Sequence, residues 1–246
     1  MITLGVDLAA QDSNTAYCFI EWKNDAAHVN EAGSGASDDD LLECFSRADK
    51  VGIDIPFGWP KSFVGAVTAH QEGKPWPSLG RHTLRYRATD VVVRKRVGRW
   101  PLSVSSDLIA VPTFRAAALF SRLTERGKTV DRTGRGRLVE VYPAGALAIW
   151  GFRSKGYKKA KGKENRLDLL DNLLARTAPW LKLSELVHEA CRKSDDVLDA
   201  LVASLVARAS ARGFCEAIPD TEEGLAATEG WVALPLAGAL DQLASV

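Results

Sequence analysis

The sequence lacks most of the features that place a protein at a glance. Its four cysteines (Cys18, Cys44, Cys191, Cys215) lie far apart, with no C-x-x-C pair and no paired histidines nearby. Zinc and a disulfide scaffold are not expected, and reduced thiols in a cytoplasmic protein are the simple reading. None of the four histidines (His28, His70, His82, His188) forms a catalytic pair readable from spacing. No stretch approaches about 18 uninterrupted apolar residues, and Asp7 comes before any hydrophobic region develops. Neither a membrane span nor a signal peptide is expected. With no internal repeat and no long linker, the 246 residues read as one domain. Apolar residues at 46% and charged residues at 26% exclude wholesale disorder.

What the chain does have is charge in blocks. The net charge is only +1, yet residues 1–55 hold eleven acids against Lys23, Arg47 and Lys50. Residues 81–137 reverse this, with fourteen Lys/Arg against Asp90, Asp107, Glu125 and Asp131. A second basic run, Arg153 to Arg166, holds seven cations and only Glu164. From Asp195 onward Arg208 and Arg212 are the only cations. Such blocks suggest acidic and basic regions with different jobs; the plainer reading is a solvated surface.

β-Rich runs predict strands at Ile2–Asp7, Thr15–Trp22 and Ala26–Ala32, an antiparallel meander with a turn at Asn24-Asp25. Ser37 followed by Asp38, Asp39 and Asp40 marks a helix start. A buried strand, Val51–Ile55, is then stopped by Pro56. Prolines break up residues 56–137, which read as a large basic insertion with short helices at 61–70, 86–97 and 113–126. A fifth strand is expected at 137–142 and a helix at 144–150. A Lys/Gly-rich loop at 153–163 precedes an amphipathic helix carrying Leu167, Leu170 and Leu174. The closing helix spans Asp195–Arg212, and a short final strand is expected at Trp231–Leu234. The fold class is therefore α/β, a mixed five-stranded sheet flanked by helices, with strands four and five able to run parallel to the first.

In such sheets ligands sit beyond the C-terminal ends of the parallel strands, and carboxylates fall there. Asp7 closes the first strand, Asp54 ends the fourth and Glu140 lies in the fifth. One such acid is commonly a turn former or cap; three on three strands are costly to bury unless paired or bound to a cation. Asp195 and Asp196 follow Ser194 in a first helical turn, which alone explains them. Asp199 lies one turn further in, and either Asp195 or Asp196 can share its face. Converging carboxylates are what a Mg²⁺ or Mn²⁺ site requires, and two ions about 3.5–4 Å apart can activate water against a phosphodiester.

Taken in order, Gly5-Val-Asp-Leu8, Gly52-Ile-Asp-Ile-Pro56, Thr89-Asp-Val-Val-Val-Arg94, Val139-Glu-Val-Tyr-Pro143, Tyr157-Lys158, Asp196-Val-Leu-Asp-Ala200 and Glu229-Gly-Trp-Val232 resemble one family. It is the family of predicted RNase H-like nucleases catalogued as a domain of unknown function, DUF 429. The closing helix also resembles the D-x-x-D-A signature of Holliday-junction resolvases. The resemblance implies an RNase H-like sheet with Asp7, Asp54, Asp196 and Asp199 in metal-binding positions. Glu140 and Tyr142 belong to a motif peculiar to the family, and their roles do not transfer from the nucleases.

Arg87, Arg94, Lys95, Arg96 and Arg99, with Trp100 beside them, would form a phosphate-binding edge with a stacking platform. The plainer reading is a solvated helix face over a packed tryptophan. Asp90 and Arg94, one turn apart, read as an intrahelical ion pair. The Lys155–Lys163 run reads first as a mobile loop, and Trp59 as packing. Three functions follow. The first is a metal-dependent nuclease with Asp7, Asp54, Glu140, Asp196 and Asp199 at its centre. The second is an actin-like ATPase or small-molecule phosphotransferase, for which Ala9 and Ala10 stand where a glycine-bearing turn is expected. The third is a non-catalytic binder of nucleic acid or protein.

Overall fold

The computed structural model describes residues 1–245. β1 (Ile2–Asp7), β2 (Ala16–Lys23) and β3 (Ala26–Ser34) form the antiparallel meander. Its second turn is Asn24-Asp25, both at positive φ (51° and 58°), the conformation that matches a tight hairpin to strand twist. α1 (Asp38–Arg47) starts with a capping box between Ser37 and Asp40. β4 (Lys50–Asp54) then lies parallel to β1. Residues 55–137 leave the sheet and build α2 (Lys61–Gln71), α3 (Arg81–Arg85), α4 (Ala88–Val97) and α5 (Ala110–Glu125). The chain re-enters as β5 (Leu138–Glu140), parallel to β4. It continues through α6 (Pro143–Ile149), α7 (Lys163–Thr177), β6 (Leu181–Leu183), α8 (Glu185–Lys193), α9 (Asp195–Ala211) and α10 (Glu223–Glu229). The sheet order is β5-β4-β1-β2-β3-β6.

The mixed α/β architecture agrees with expectation, but the sheet has six strands rather than five. β6 is the addition, three residues pairing parallel with the edge strand β3. It is too short, with Lys182 at its centre, to stand out as a run. The expected strand at Trp231–Leu234 is reduced to one isolated bridge, Val232 beside Glu140. β5 is cut short because Pro143 opens α6 with Tyr142 as its N-cap. No helix among the described residues is long and apolar enough to cross a membrane.

Strand alternation builds two cores. Leu4 and Val6 of β1 and Leu8 just after it, with Val51 and Ile53 of β4 and Ile55 just after it, pack with α1 and α5 on one face. Thr3, Gly5 and Asp7, with Gly52 and Asp54, turn to the other face, under α9. Gly5 and Gly52 let that helix lie against the sheet backbone. A Cβ on Gly5 would stand 1.9 Å from the Ala200 carbonyl oxygen, and one on Gly52 2.4 Å from that of Ala203. Trp22 Nε1 donates to Thr3 Oγ1 (2.9 Å), which shares a hydrogen bond with Ser204 Oγ (2.8 Å), fixing the helix along its axis.

Candidate metal centre

β1 and β4 pair in parallel with Asp7 opposite Asp54, so both carboxylates leave the same face of the sheet. Asp199 enters from α9, whose N-cap Ser194 accepts a hydrogen bond from the Val197 N–H. The close seating of that helix on Gly5 brings Asp199 over the two strand ends. One carboxylate oxygen from each of Asp7, Asp54 and Asp199 lies within 4.8 Å of the other two. At that separation two full charges repel by about 3.5 kcal/mol at an effective dielectric of about 20. Burial, then Asp54 and Asp199, hold the Asp7 carboxyl well above the usual carboxylate range. Burial pushes Asp54 up to about 7, with Lys158 opposing and Asp199 adding to the shift. Asp199 is raised by burial against the pull of Lys158 and Tyr157.

The donor set is all oxygen, which suits a hard cation. Opposed oxygens around Mg²⁺ stand about 4.2 Å apart at metal–oxygen distances of about 2.1 Å, the scale of this group. Asp7, Asp54 and Asp199 therefore fit one such ion.

Sequence reasoning passed over a fourth member. Lys158 sits in the stretch that reads as a mobile loop, but its ammonium lies 2.5 Å from Asp199 Oδ2. Tyr157, fully buried, donates its hydroxyl to Asp199 Oδ1 at 2.6 Å. Burial works against the Lys158 charge, and Asp199, Asp54 and Asp7 more than restore it. The loop is pinned on both sides. Arg99 donates to Ser154 O (3.1 Å), Ser154 Oγ (2.9 Å) and Ala144 O (2.6 Å). Arg166 donates to Tyr157 O (3.2 Å), and the Lys159 N–H donates to Asp195 Oδ2 (3.1 Å). The signal was present as Tyr157-Lys158 in the family motif, but lysine in a Lys/Gly-rich run is normally solvated.

The acids open onto a cavity of about 180 Å³. Asp7, Asp54, Lys158, Arg87 and Glu140 line it together with the apolar Leu8, Pro101, Leu102 and Ile109. Asp196 stands outside the three-acid group, half-buried, its carboxyl raised by burial and by Asp195. Asp195 pairs with Arg166 (3.5 Å) and serves the loop.

A family model described as "Protein of unknown function (DUF429)" matches residues 5–224. The chain belongs to the DUF429 family. No curated protein and no solved structure matches it.

Two expected site residues of this DUF429 protein, Glu140 and Arg87, line the same cavity but stand outside the three-acid group. Glu140 pairs with Ile53, whose side chain enters the α1/α5 core, so the pleat turns Glu140 away from Asp54's face. It is buried against Arg87, at 2.6 Å and 2.9 Å, and accepts from the Phe57 N–H (2.9 Å). Arg87 is itself only 2% exposed and also holds Asp90 at 2.9 Å, so it is no part of a surface edge. Asp90 therefore pairs with Arg87 and not with Arg94. Glu229 completes the assembly by accepting from the Lys61 N–H (2.8 Å) and the Ala88 N–H (2.9 Å), at the starts of α2 and α4. Of the other basic residues, Arg99 anchors the Lys158 loop and Arg96 pairs with Glu216 (2.5 Å). Arg94 and Lys95 are exposed, with no ion-pair partner among the described residues.

Proposed function

We propose that this DUF429 protein is an RNase H-like, metal-dependent phosphodiesterase that acts on nucleic acid. The observation that carries the reading is the convergence of Asp7, Asp54 and Asp199 on the ends of two adjacent parallel strands. A meander followed by two parallel strands is the sheet that the RNase H-like resemblance implies. In the reaction water adds to phosphorus, one P–O ester bond breaks, and the departing oxygen takes a proton. A bound Mg²⁺ or Mn²⁺ would supply Lewis-acid polarisation of the phosphoryl oxygen and lower the pKa of water. Asp7, Asp54 and Asp199 would hold that ion, and Tyr157 orients Asp199 through its hydroxyl. Arg94, Lys95 and the exposed Lys155, Lys159 and Lys161 offer cations to a phosphate backbone.

The test is metal-dependent cleavage of DNA and RNA oligonucleotides. Asp7→Asn should abolish it while circular dichroism shows the fold intact, because the amide keeps shape and loses charge. Cleavage untouched by Asp7→Asn, or no cleavage by the wild type with either metal, would overturn the nuclease reading. A second reading, hydrolysis of a compact phosphoester, is favoured by the apolar wall of Leu8, Pro101, Leu102 and Ile109. It predicts turnover of a mononucleotide or aryl phosphodiester with oligonucleotides left intact.

A further inference from the structure

The geometry points to Lys158 as the second cation of the centre: the site takes one divalent ion, and the Lys158 ammonium binds the substrate's phosphoryl oxygen where a second ion would otherwise stand. This rests on the phosphodiesterase reading above. Three observations lead to it. First, Asp199 Oδ1 accepts the Tyr157 hydroxyl (2.6 Å), while buried Oδ2 has no hydrogen bond and lies 2.5 Å from the Lys158 ammonium. Oδ2 therefore keeps lone pairs for one ion, and the ammonium beside it fills the space in which a second ion would stand. Second, a two-ion site, with ions about 3.5–4 Å apart, needs carboxylates on both sides of the pair. The acid that would complete it, Asp196, lies outside the three-oxygen group. Third, the charges close with one ion. Three carboxylates carry three negative charges, and an ammonium with one divalent cation supplies three positive ones; a second divalent ion would leave the centre strongly positive.

Lys158 is also placed to meet substrate. Its side chain is 48% exposed and faces the same cavity as Asp7 and Asp54. Its position is held by the backbone on both sides, through Arg166 on Tyr157 and Asp195 on Lys159, rather than by a free loop. A lysine there acts as a fixed point charge towards phosphate.

The experiment counts bound Mn²⁺ by electron paramagnetic resonance on the full chain, then measures binding of inorganic phosphate to the Mn²⁺-loaded protein. Wild type should bind one Mn²⁺ per chain. Lys158→Ala should still bind Mn²⁺ but lose phosphate affinity at least about tenfold, the scale of one charge-assisted hydrogen bond. Lys158→Arg should recover part of it, and thermal melting checks that both variants fold. Two Mn²⁺ in the wild type, or unchanged phosphate affinity in Lys158→Ala, overturns the role of Lys158 and leaves the phosphodiesterase reading standing. No Mn²⁺ bound by the wild type removes the metal centre itself, and the proposal with it.

Discussion

Replacing Asp54 with asparagine should make the metal-free protein more stable, and only above a definite pH. The Asp54 carboxyl titrates near 3.8 in an unstructured chain and is pushed up to about 7 in the fold. Between those values the folded state keeps a proton that the unfolded state has released, so stability falls as pH rises. The loss is absent below about pH 4, grows by about 1.4 kcal/mol per pH unit, and is complete above about pH 7, a total of about 4 kcal/mol. Asparagine does not titrate and keeps the same shape. Urea unfolding followed by tryptophan fluorescence in EDTA, at half-unit steps from pH 4 to 8.5, reads both proteins. The two curves should meet near pH 4 and diverge until Asp54→Asn leads by about 4 kcal/mol. Mn²⁺ at pH 8 should narrow the gap, because an ion that binds only the folded wild type adds about 2.7 kcal/mol at a hundredfold excess over its Kd. Parallel curves across the whole range would refute the claim that burial and neighbouring carboxylates raise Asp54 in the fold.

Other consequences follow from the same geometry. Gly5→Ala places a methyl carbon 1.9 Å from the Ala200 carbonyl oxygen, so α9 must lift. We expect a loss of at least about 1–3 kcal/mol in urea and weaker Mn²⁺ binding, because Asp199 rides on that helix. Glu140→Gln should cost about 3–5 kcal/mol by leaving the buried Arg87 charge short of a partner, with the Mn²⁺ stoichiometry unchanged. Lost Mn²⁺ binding in a folded Glu140→Gln protein would make Glu140 a ligand after all. Changing Arg94 and Lys95 together to alanine should reduce the slope of log affinity for single-stranded oligonucleotide against log salt by about 1.4, and an unaltered slope rules that face out.

Much of this centre was legible because it depends on local rules. Strand-ending acids at Asp7 and Asp54 sit in β-rich runs, and Asp199 has no capping role to explain it. What was not legible depends on register and on long-range pairing. Glu140 looks like Asp54 in sequence, a carboxylate in an apolar strand. Its face is decided by which β4 residue it meets, and that residue is Ile53. The basic blocks also depend on long-range pairing. Arg115 of α5 meets Asp38 (2.6 Å) and Asp12 (2.7 Å), and Arg122 meets Asp39. Much of the segregated charge is therefore complementary halves of internal contacts. Lys158 was hidden by its neighbours: composition assigns a Lys/Gly run to solvent, and only the buried Tyr157 ties it inward.

Glu229 gives the molecule an order of assembly in time. The helices that it caps begin 168 and 141 residues earlier in the chain. A ribosome adding about 5–20 residues per second takes roughly 10–30 s to cover the longer of those spans. Until then α2 and α4 lack their capping carboxylate. Asp7 and Asp54 are made first and wait in the same way for Lys158 and then Asp199. The nascent chain thus carries a bare acid pair for several seconds, and the centre becomes whole only when α9 closes over it.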